Sequence, residues 1–156
     1  MSCGLFTEVV MEHFQNPKNV GFMEGADAEG KCGDPSCGDF LTIFIKVKEN
    51  IICDISFLVY GCVAAIASSS MTTVLAKGKS LEDALKITDK DIACALGGLP
   101  IRKMHCSVLG ATALKNAIKH YIKKQKENKL IYNKFKTLKA NNKGANIYDR
   151  KRKIMF

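Results

Sequence analysis

Three cysteines that lie far apart in the sequence are the residues best suited to hold a metal ion. Cys37, Cys62 and Cys106 each stand at the edge of a different predicted element, and Asp39 and His105 lie beside them. Thiolates combined with a carboxylate or an imidazole are ligands for zinc and for iron. Because the cysteines are widely spaced, they predict a soft-metal site assembled by folding rather than a local zinc knuckle or a disulfide framework.

Length and composition predict a single soluble globular domain. The chain has 156 residues, of which 47% are hydrophobic. It has no apolar run long enough to cross a bilayer, so we expect no membrane contact. The first residues lack a basic segment followed by an apolar stretch, which is the pattern of a secretion signal. Seven cysteines without such a signal favour free thiols and a cytoplasmic location.

The formal net charge of +9 is concentrated at the carboxyl end of the chain. Residues 123–156 contain twelve Lys and Arg against Glu127 and Asp149, so the remainder is nearly neutral. A basic segment with few apolar residues buries too little surface to offset the entropy of ordering it. We therefore predict a domain over residues 1–126 and a basic, flexible tail over residues 127–156. A solvated tail is favoured over one that docks to nucleic acid or to an acidic partner.

A β-hairpin is predicted to bring two of the cysteines together. Apolar and polar residues alternate over 40–48 and again over 51–59, with a two-residue turn between them, as in two antiparallel strands. Cys37 precedes the first strand and Cys62 follows the second. Since antiparallel pairing places these two ends side by side, we expect both thiols at one edge of the sheet.

Helices are predicted before and after this hairpin in the sequence. A helix from about Leu5 ends before Pro17, and residues 18–38 favour a glycine-rich loop with one short edge strand. The chain after Gly61 follows a helical pattern, in which Ser80 and Thr88 resemble helix starts, and its last helix begins near Ser107. These patterns predict an α+β fold, in which a small antiparallel sheet of about three strands packs against a layer of helices. The metal site would lie at the edge between sheet and helices.

Cys62 and Cys106 are predicted to lie at the amino-terminal ends of helices. The free backbone amides and the helix dipole favour negative charge there. We therefore expect the thiolate form to be favoured at both residues, which would make them better metal ligands and better nucleophiles.

The remaining cysteines and histidines are not assigned to the site. Cys53 and Cys94 fall in a strand and a short helix, where they are predicted to be small buried apolar residues. Cys3 is predicted to be an incidental free thiol. Cys32 shares a glycine-rich loop with Cys37 and stays an alternative ligand. His13 is predicted to be a packed helix residue, and His120 is predicted to be a surface residue.

Five segments of the chain form a recurring pattern when taken together: Glu12–Gly21, Asp34–Asp39, Tyr60–Cys62 with Ala65–Ser70, Lys77–Leu81 and Met104–Ser107. In their order and spacing they resemble the U-type iron–sulfur cluster scaffold family, which comprises IscU and the amino-terminal domain of NifU. The resemblance runs from about Phe6 to about Lys124 and is closer to the NifU branch.

The resemblance implies a protein that assembles iron–sulfur clusters and passes them on, without catalytic turnover of its own. The family builds a [2Fe–2S] cluster on three cysteines, which correspond to Cys37, Cys62 and Cys106, and His105 or Asp39 would complete the fourth position. A carboxylate or an imidazole competes for iron less well than a fourth thiolate. Such an incomplete sulfur set suits a protein that must release its cluster.

The resemblance also implies partners. Sulfur would arrive as a persulfide from a pyridoxal-phosphate cysteine desulfurase, with Cys106 as the first choice of acceptor. Iron and electrons would come from other donors, and apo iron–sulfur proteins would receive the cluster. A homodimer is compatible with this role.

Two departures from the family pattern concern the loop at Cys62 and a chaperone motif. Val63 and Ala64 stand where the family usually has Gly-Ser, which would stiffen the loop. The stretch Leu99–Lys103 has one proline where the chaperone-recognition stretch of the IscU branch has two. This difference weakens the inference that an Hsp70 and its J-protein bind here.

Two other functions remain open on the residues alone. A zinc-bound sulfurtransferase that accepts persulfide and activates a desulfurase would use the same ligands, because they also suit zinc. A nucleic-acid binder acting through the basic tail would show salt-sensitive binding. We rank the scaffold first and the nucleic-acid binder last.

Overall fold

The computed structural model describes residues 4–34 and 38–141. The chain divides into two compact units, with the boundary between Tyr121 and Ile122. No helix in the described ranges combines the length and the apolar character that crossing a bilayer requires. The elements follow in this order: α1 (Glu8–Gln15), β1 (Ala28–Asp34), β2 (Asp39–Lys48), β3 (Ile51–Tyr60), α2 (Val63–Ala76), α3 (Leu81–Leu85), α4 (Asp89–Ala95), a 3-10 turn (Ile101–Lys103) and α5 (Met104–Asn141).

The predicted α+β fold is confirmed. Within the described residues the three strands form one antiparallel sheet in the order β1-β2-β3. β2 and β3 are the predicted hairpin, and β1 is the predicted edge strand. Leu41, Ile43 and Ile45 of β2 are almost fully buried, as are Ile55 and Phe57 of β3. The alternating pattern therefore marks the face of the hairpin that packs into the core.

A β-bulge corrects the prediction for Cys53. Lys46 pairs with Asp54 and Val47 with Ile52, so Cys53 is an extra residue in β3. The bulge shifts the alternation, with the result that Ile52 is buried while Cys53 is exposed. The thiol of Cys53 donates a hydrogen bond to the carbonyl oxygen of Lys46 at 3.4 Å. Cys53 is therefore not a core residue.

The prediction that Cys94 is buried is also wrong. Thr88 caps α4 in a capping box with Asp91, which confirms the predicted helix start. From this start, Ile92 and Leu96 lie one helical turn apart and are fully buried. Cys94 lies off this buried stripe and is exposed.

Helix α1 is fixed to α2 by buried polar contacts. His13 Nδ1 lies 2.7 Å from the hydroxyl of Ser70, and the same hydroxyl accepts the backbone amide of Lys18 at 2.8 Å. His13 is thus a packed histidine, as predicted, and burial followed by the charge of Lys18 lowers its pKa. At the other end of α1, the Thr7 side chain caps the helix and donates a hydrogen bond to the carbonyl oxygen of Leu96. These contacts hold the start of α1 beside the residues that form the site.

Residues 122–141 are the described part of the second unit, and they are helical. This helix includes residues 127–141, for which we expected a flexible chain. The expectation rested on low burial, and residues 123–141 are indeed exposed. Helix hydrogen bonds are local, however, and the many Lys residues of this segment have favourable helix propensity. The domain boundary after residue 126 stays a prediction.

Candidate metal centre

Three elements meet at one end of the sheet, and each contributes one ligand atom. Asp39 is the first residue of β2, Cys62 is the N-cap of α2, and Cys106 lies in the first turn of α5. The hairpin register pairs Phe40 with Tyr60, which brings the start of β2 beside the segment that leads to Cys62. The hairpin therefore brings Asp39, at the start of its first strand, beside Cys62, which follows its second strand.

The oxygen and sulfur atoms of these residues are close enough to share one ion. Asp39 Oδ2 lies 3.9 Å from the sulfur of Cys62 and 3.7 Å from that of Cys106, and the two sulfurs are 3.8 Å apart. Two sulfurs bound at about 2.3 Å with tetrahedral angles are separated by about 3.8 Å. The three residues therefore have the spacing of three ligands around a tetrahedral ion.

His105 and Lys103 border this group. His105 Nε2 lies 3.6 Å from the sulfur of Cys106, and Lys103 Nζ lies 3.7 Å from the sulfur of Cys62. Asp39 approaches both sulfurs, so the geometry favours Asp39 as the ligand that joins them. Our sequence analysis did not assign Lys103 to the site. Its place immediately before Met104-His105-Cys106 was the available signal, because an ammonium next to sulfur stabilises negative charge there.

Burial sets the protonation of Cys106. Only 1% of its surface is exposed, and this desolvation raises the pKa of its thiol far above the ordinary value. The neighbouring Cys62 and Asp39 raise that pKa further. Burial therefore works against the thiolate form that the helix start was expected to favour at Cys106. A metal ion that binds this sulfur must displace a proton.

Apolar side chains surround the two sulfurs. Ala64, Ala65 and Cys106 form a buried cluster at the start of α2, and four partly buried residues pack against it: Phe6, Val59, Cys62 and Leu99. Phe6 comes from the segment just before α1, which links the position of α1 to the site. A low-dielectric surrounding strengthens the interaction between a cation and its ligands.

The loop at Cys62 tolerates its departure from the family pattern. Val63 is the first residue of α2, and Cys62 has an extended backbone with a φ of −80°. Helical backbone angles are open to valine, so this position does not require glycine. The Val63 side chain is therefore compatible with the observed position of Cys62.

Cys37 and Cys32 were the other cysteines considered as ligands from the sequence. Cys37 falls outside the described residues, so its place in the site stays a prediction. Cys32 is half-buried on β1, where it pairs with Leu41, and it is not one of the three grouped ligands. Burial, and then the charge of Asp34, raises the pKa of the Cys32 thiol.

Comparison with known proteins identifies the family. Residues 5–128 match the family described as the NifU-like N terminal domain. The chain is 58% identical over 120 residues to the iron-sulfur cluster assembly scaffold protein IscU 1 of Archaeoglobus fulgidus, covering 77% of this chain and 78% of the relative. It is 48% identical over 122 residues to the IscU scaffold protein of Aquifex aeolicus, with the same coverage. The chain therefore belongs to the NifU-like N-terminal domain family.

A solved structure agrees with the observed fold. The crystal structure of a NifU-like protein (N-terminal) from Brucella abortus matches with a TM-score of 0.62 and 17% identity, over 77% of this chain and 96% of that one. At this identity the match supports the fold alone. The arrangement of one antiparallel sheet with its helices is thus shared between distant members.

Proposed function

We propose that this protein is a scaffold on which iron–sulfur clusters are assembled before transfer to other proteins. The observation that carries the proposal is the convergence of Asp39, Cys62 and Cys106, whose ligand atoms lie 3.7–3.9 Å apart. Relatives at 48–58% identity are named iron–sulfur cluster assembly scaffold proteins. The cluster is the cargo in this proposal, and the protein performs no catalytic turnover.

The composition of the ligand group supports temporary holding of the cluster. Cys62 and Cys106, with Cys37 as the predicted third cysteine, would supply soft sulfur ligands for a [2Fe–2S] cluster. Asp39 would supply a harder oxygen ligand, which binds iron–sulfur clusters less tightly than thiolate does. His105 remains the alternative fourth ligand because its ring lies 3.6 Å from the sulfur of Cys106. One weak ligand among strong ones is what transfer requires.

Sulfur would be delivered as a persulfide by a cysteine desulfurase, and Cys106 remains the proposed acceptor. The Cys106 thiol is buried and its pKa is raised, so the partner would have to expose or deprotonate it. Cys62 is more accessible and lies 3.8 Å away. Persulfide labelling of Cys62→Ala and Cys106→Ala after one desulfurase turnover, read by mass spectrometry, identifies the acceptor. Label retained on Cys62 in the Cys106→Ala variant would contradict the assignment to Cys106.

Other partners follow from the same role. Iron and electron donors would load the site, apo iron–sulfur proteins would receive the cluster, and a cytoplasmic location would suit them. In the stretch Leu99–Lys103, Ile101 is 92% exposed, which is compatible with recognition by an Hsp70-type chaperone. A peptide covering this stretch should compete with the protein for such a chaperone.

Anaerobic reconstitution tests the scaffold function. The protein, iron(II), cysteine and a cysteine desulfurase should produce the visible absorption of an iron–sulfur cluster, and this cluster should then convert apo-ferredoxin to holo-ferredoxin. Asp39→Ala should slow transfer because it removes the weak oxygen ligand through which the cluster would be released. Asp54→Ala, near the turn end of β3, serves as the control. Absence of a cluster in the unmodified protein would reject the proposal.

A zinc-bound sulfurtransferase is the second candidate, because the observed spacing also fits one tetrahedral zinc ion. This protein would accept persulfide and stimulate the desulfurase, but it would have no cluster to transfer. Stimulation of the desulfurase without formation of holo-ferredoxin would therefore favour the second candidate.

A further inference from the structure

We infer that Gly61 is a positioning residue that holds the carboxylate of Asp39 against the sulfurs of Cys62 and Cys106. Gly61 is the residue between the end of β3 and the N-cap of α2. The inference deepens the proposed function, since it rests on this group being a metal site, but its test does not require cluster assembly.

The Asp39 carboxylate occupies the space that a side chain at Gly61 would need. A Cβ atom at Gly61 would lie 2.7 Å from Asp39 Oδ1 and 2.9 Å from Asp39 Cγ. Carbon atoms of real side chains do not approach other heavy atoms this closely. The same Cβ would lie 2.8 Å from Cβ of Ala65 in the first turn of α2. Gly61 is therefore enclosed between the carboxylate and the helix.

The hairpin register explains why this contact controls the ligand. Phe40 pairs with Tyr60, and Asp39 and Gly61 are the next residues beyond this pair. Residues opposite each other in neighbouring strands lie on the same face of the sheet. Because Gly61 has no side chain, the Asp39 carboxylate can lie against the Gly61 backbone through Oδ1. Its other oxygen, Oδ2, then reaches the sulfurs at 3.7 and 3.9 Å.

A methyl group at Gly61 would have to displace either the carboxylate or α2. Asp39 is only 4% exposed, so its side chain has little room in which to rotate while staying near both sulfurs. We therefore expect Gly61→Ala to displace the Asp39 carboxylate from the group, although Cys62 and Cys106 are unchanged. Its effect on metal binding should equal that of Asp39→Ala.

Cobalt(II) titration of the apo protein under anaerobic conditions tests this inference, because the visible spectrum of cobalt depends on its ligands. The variants are Asp39→Ala, Gly61→Ala with Ala65→Gly, and all three changes together. Ala65→Gly removes the contact with α2, so that the contact with Asp39 is tested on its own. We expect Asp39→Ala and the Gly61/Ala65 pair each to weaken cobalt binding about tenfold, which is less than the loss of a thiolate would cause, because a carboxylate is the weaker ligand in this group.

The combined variant decides whether Gly61 acts through Asp39. If it does, adding the Gly61/Ala65 pair to Asp39→Ala should change the affinity less than twofold, because the two losses share one cause. Full additivity, or an unchanged spectrum in the Gly61/Ala65 pair, would overturn the inference. Gly33→Ala is the matched control, because its Cβ would meet the ring of Phe40 at 3.0 Å and only the backbone oxygen of Asp39 at 3.5 Å, not the Asp39 carboxylate.

Folding provides a second readout. If the Gly61/Ala65 pair is too unstable to titrate, urea unfolding of Gly61→Ala should show a smaller loss of stability in the Asp39→Ala background than alone. An equal loss in both backgrounds would count against the inference. A wild-type chain that forms no cluster would reject the scaffold function and leave these comparisons intact.

Discussion

The two ends of the β2–β3 hairpin use cysteine in opposite ways. At the end near the helix starts, the strands pair in register, and Cys62 lies beside Asp39 and the buried Cys106. At the turn end, a bulge leaves Cys53 exposed. Both cysteines come from the same short stretch of chain. The comparison shows that strand register and burial, rather than residue type, select which thiols can become ligands.

The largest expected difference between the two ends of the hairpin is the effect of cysteine-to-alanine substitutions on metal affinity. Cys62→Ala or Cys106→Ala should weaken zinc or cobalt binding about a hundred- to thousandfold, since roughly 10–16 kcal/mol of structural zinc binding is divided among about four ligands. Cys53→Ala and Cys94→Ala should leave the affinity unchanged. Competition with a metal-binding dye measures both. A comparable loss in Cys53→Ala would remove the distinction between the ends.

Core truncation tests the register at the turn end. Ile52 is fully buried and Ile51 is 42% exposed, so the bulge determines which of two adjacent isoleucines supports the core. Ile52→Ala should lower the free energy of unfolding by about 2–4 kcal/mol, whereas Ile51→Ala should cost less than about 1 kcal/mol. Urea unfolding monitored by circular dichroism measures the difference. A larger loss for Ile51→Ala would place the bulge elsewhere.

Alkylation rates test the effect of burial on the thiols. The thiolate is the reactive form, and the pKa of the Cys106 thiol is raised by burial, Cys62 and Asp39. At pH 7.5 Cys106 should therefore react with iodoacetamide at least about tenfold more slowly than the exposed Cys53 and Cys94, because each unit by which burial raises its pKa reduces its thiolate about tenfold.

The dependence of the Cys106 alkylation rate on pH shows whether the pKa of this thiol is raised or lowered. Raising the pH should increase the Cys106 rate steadily through pH 9 without a plateau, since its pKa lies above this range. Peptide mapping by mass spectrometry distinguishes the sites. A plateau below pH 9 would contradict the raised pKa.

The smallest effect is expected from the charge beside Cys62. Lys103→Gln removes an ammonium that lies 3.7 Å from that sulfur and should slow alkylation of Cys62 about threefold, as expected from about 0.2–1 kcal/mol for a partly exposed charge pair. Lys46→Gln, at the turn end, is the matched control and should have no effect on Cys62. Equal rates for the two variants would show that Lys103 does not stabilise charge on this sulfur.

Local signals explain which parts of the fold could be predicted. The alternation in β2 and β3, the capping residues Ser80 and Thr88, and the position of Cys62 before α2 are short-range patterns, and the structure confirms them. The family motifs pointed to Asp39, Cys62 and Cys106, which the fold brings together. The strand, cap and hairpin features depend on neighbours in the sequence, whereas bringing Cys106 to the site requires α5 to pack beside the hairpin.

Long-range packing explains what could not be predicted. At the bulge, the adjacent Ile51 and Ile52 fit either strand register, so only the packed structure shows which of them is buried. The burial of Cys106 depends on Phe6, Leu99 and the start of α2 packing together. The helix over residues 127–141 was not predicted, because our sequence analysis considered only how little surface this segment buries.

The sequence by itself determined the family, the α+β fold and the identity of the candidate ligands, because motif order and strand alternation are written in neighbouring residues. The tertiary structure decided the state of those ligands. It placed the Asp39 carboxylate over Gly61 and against two sulfurs, and it buried Cys106, which raises the pKa of its thiol. The physical reason is that desolvation and close contact depend on every element packed around an atom, and those elements meet only after the chain has folded.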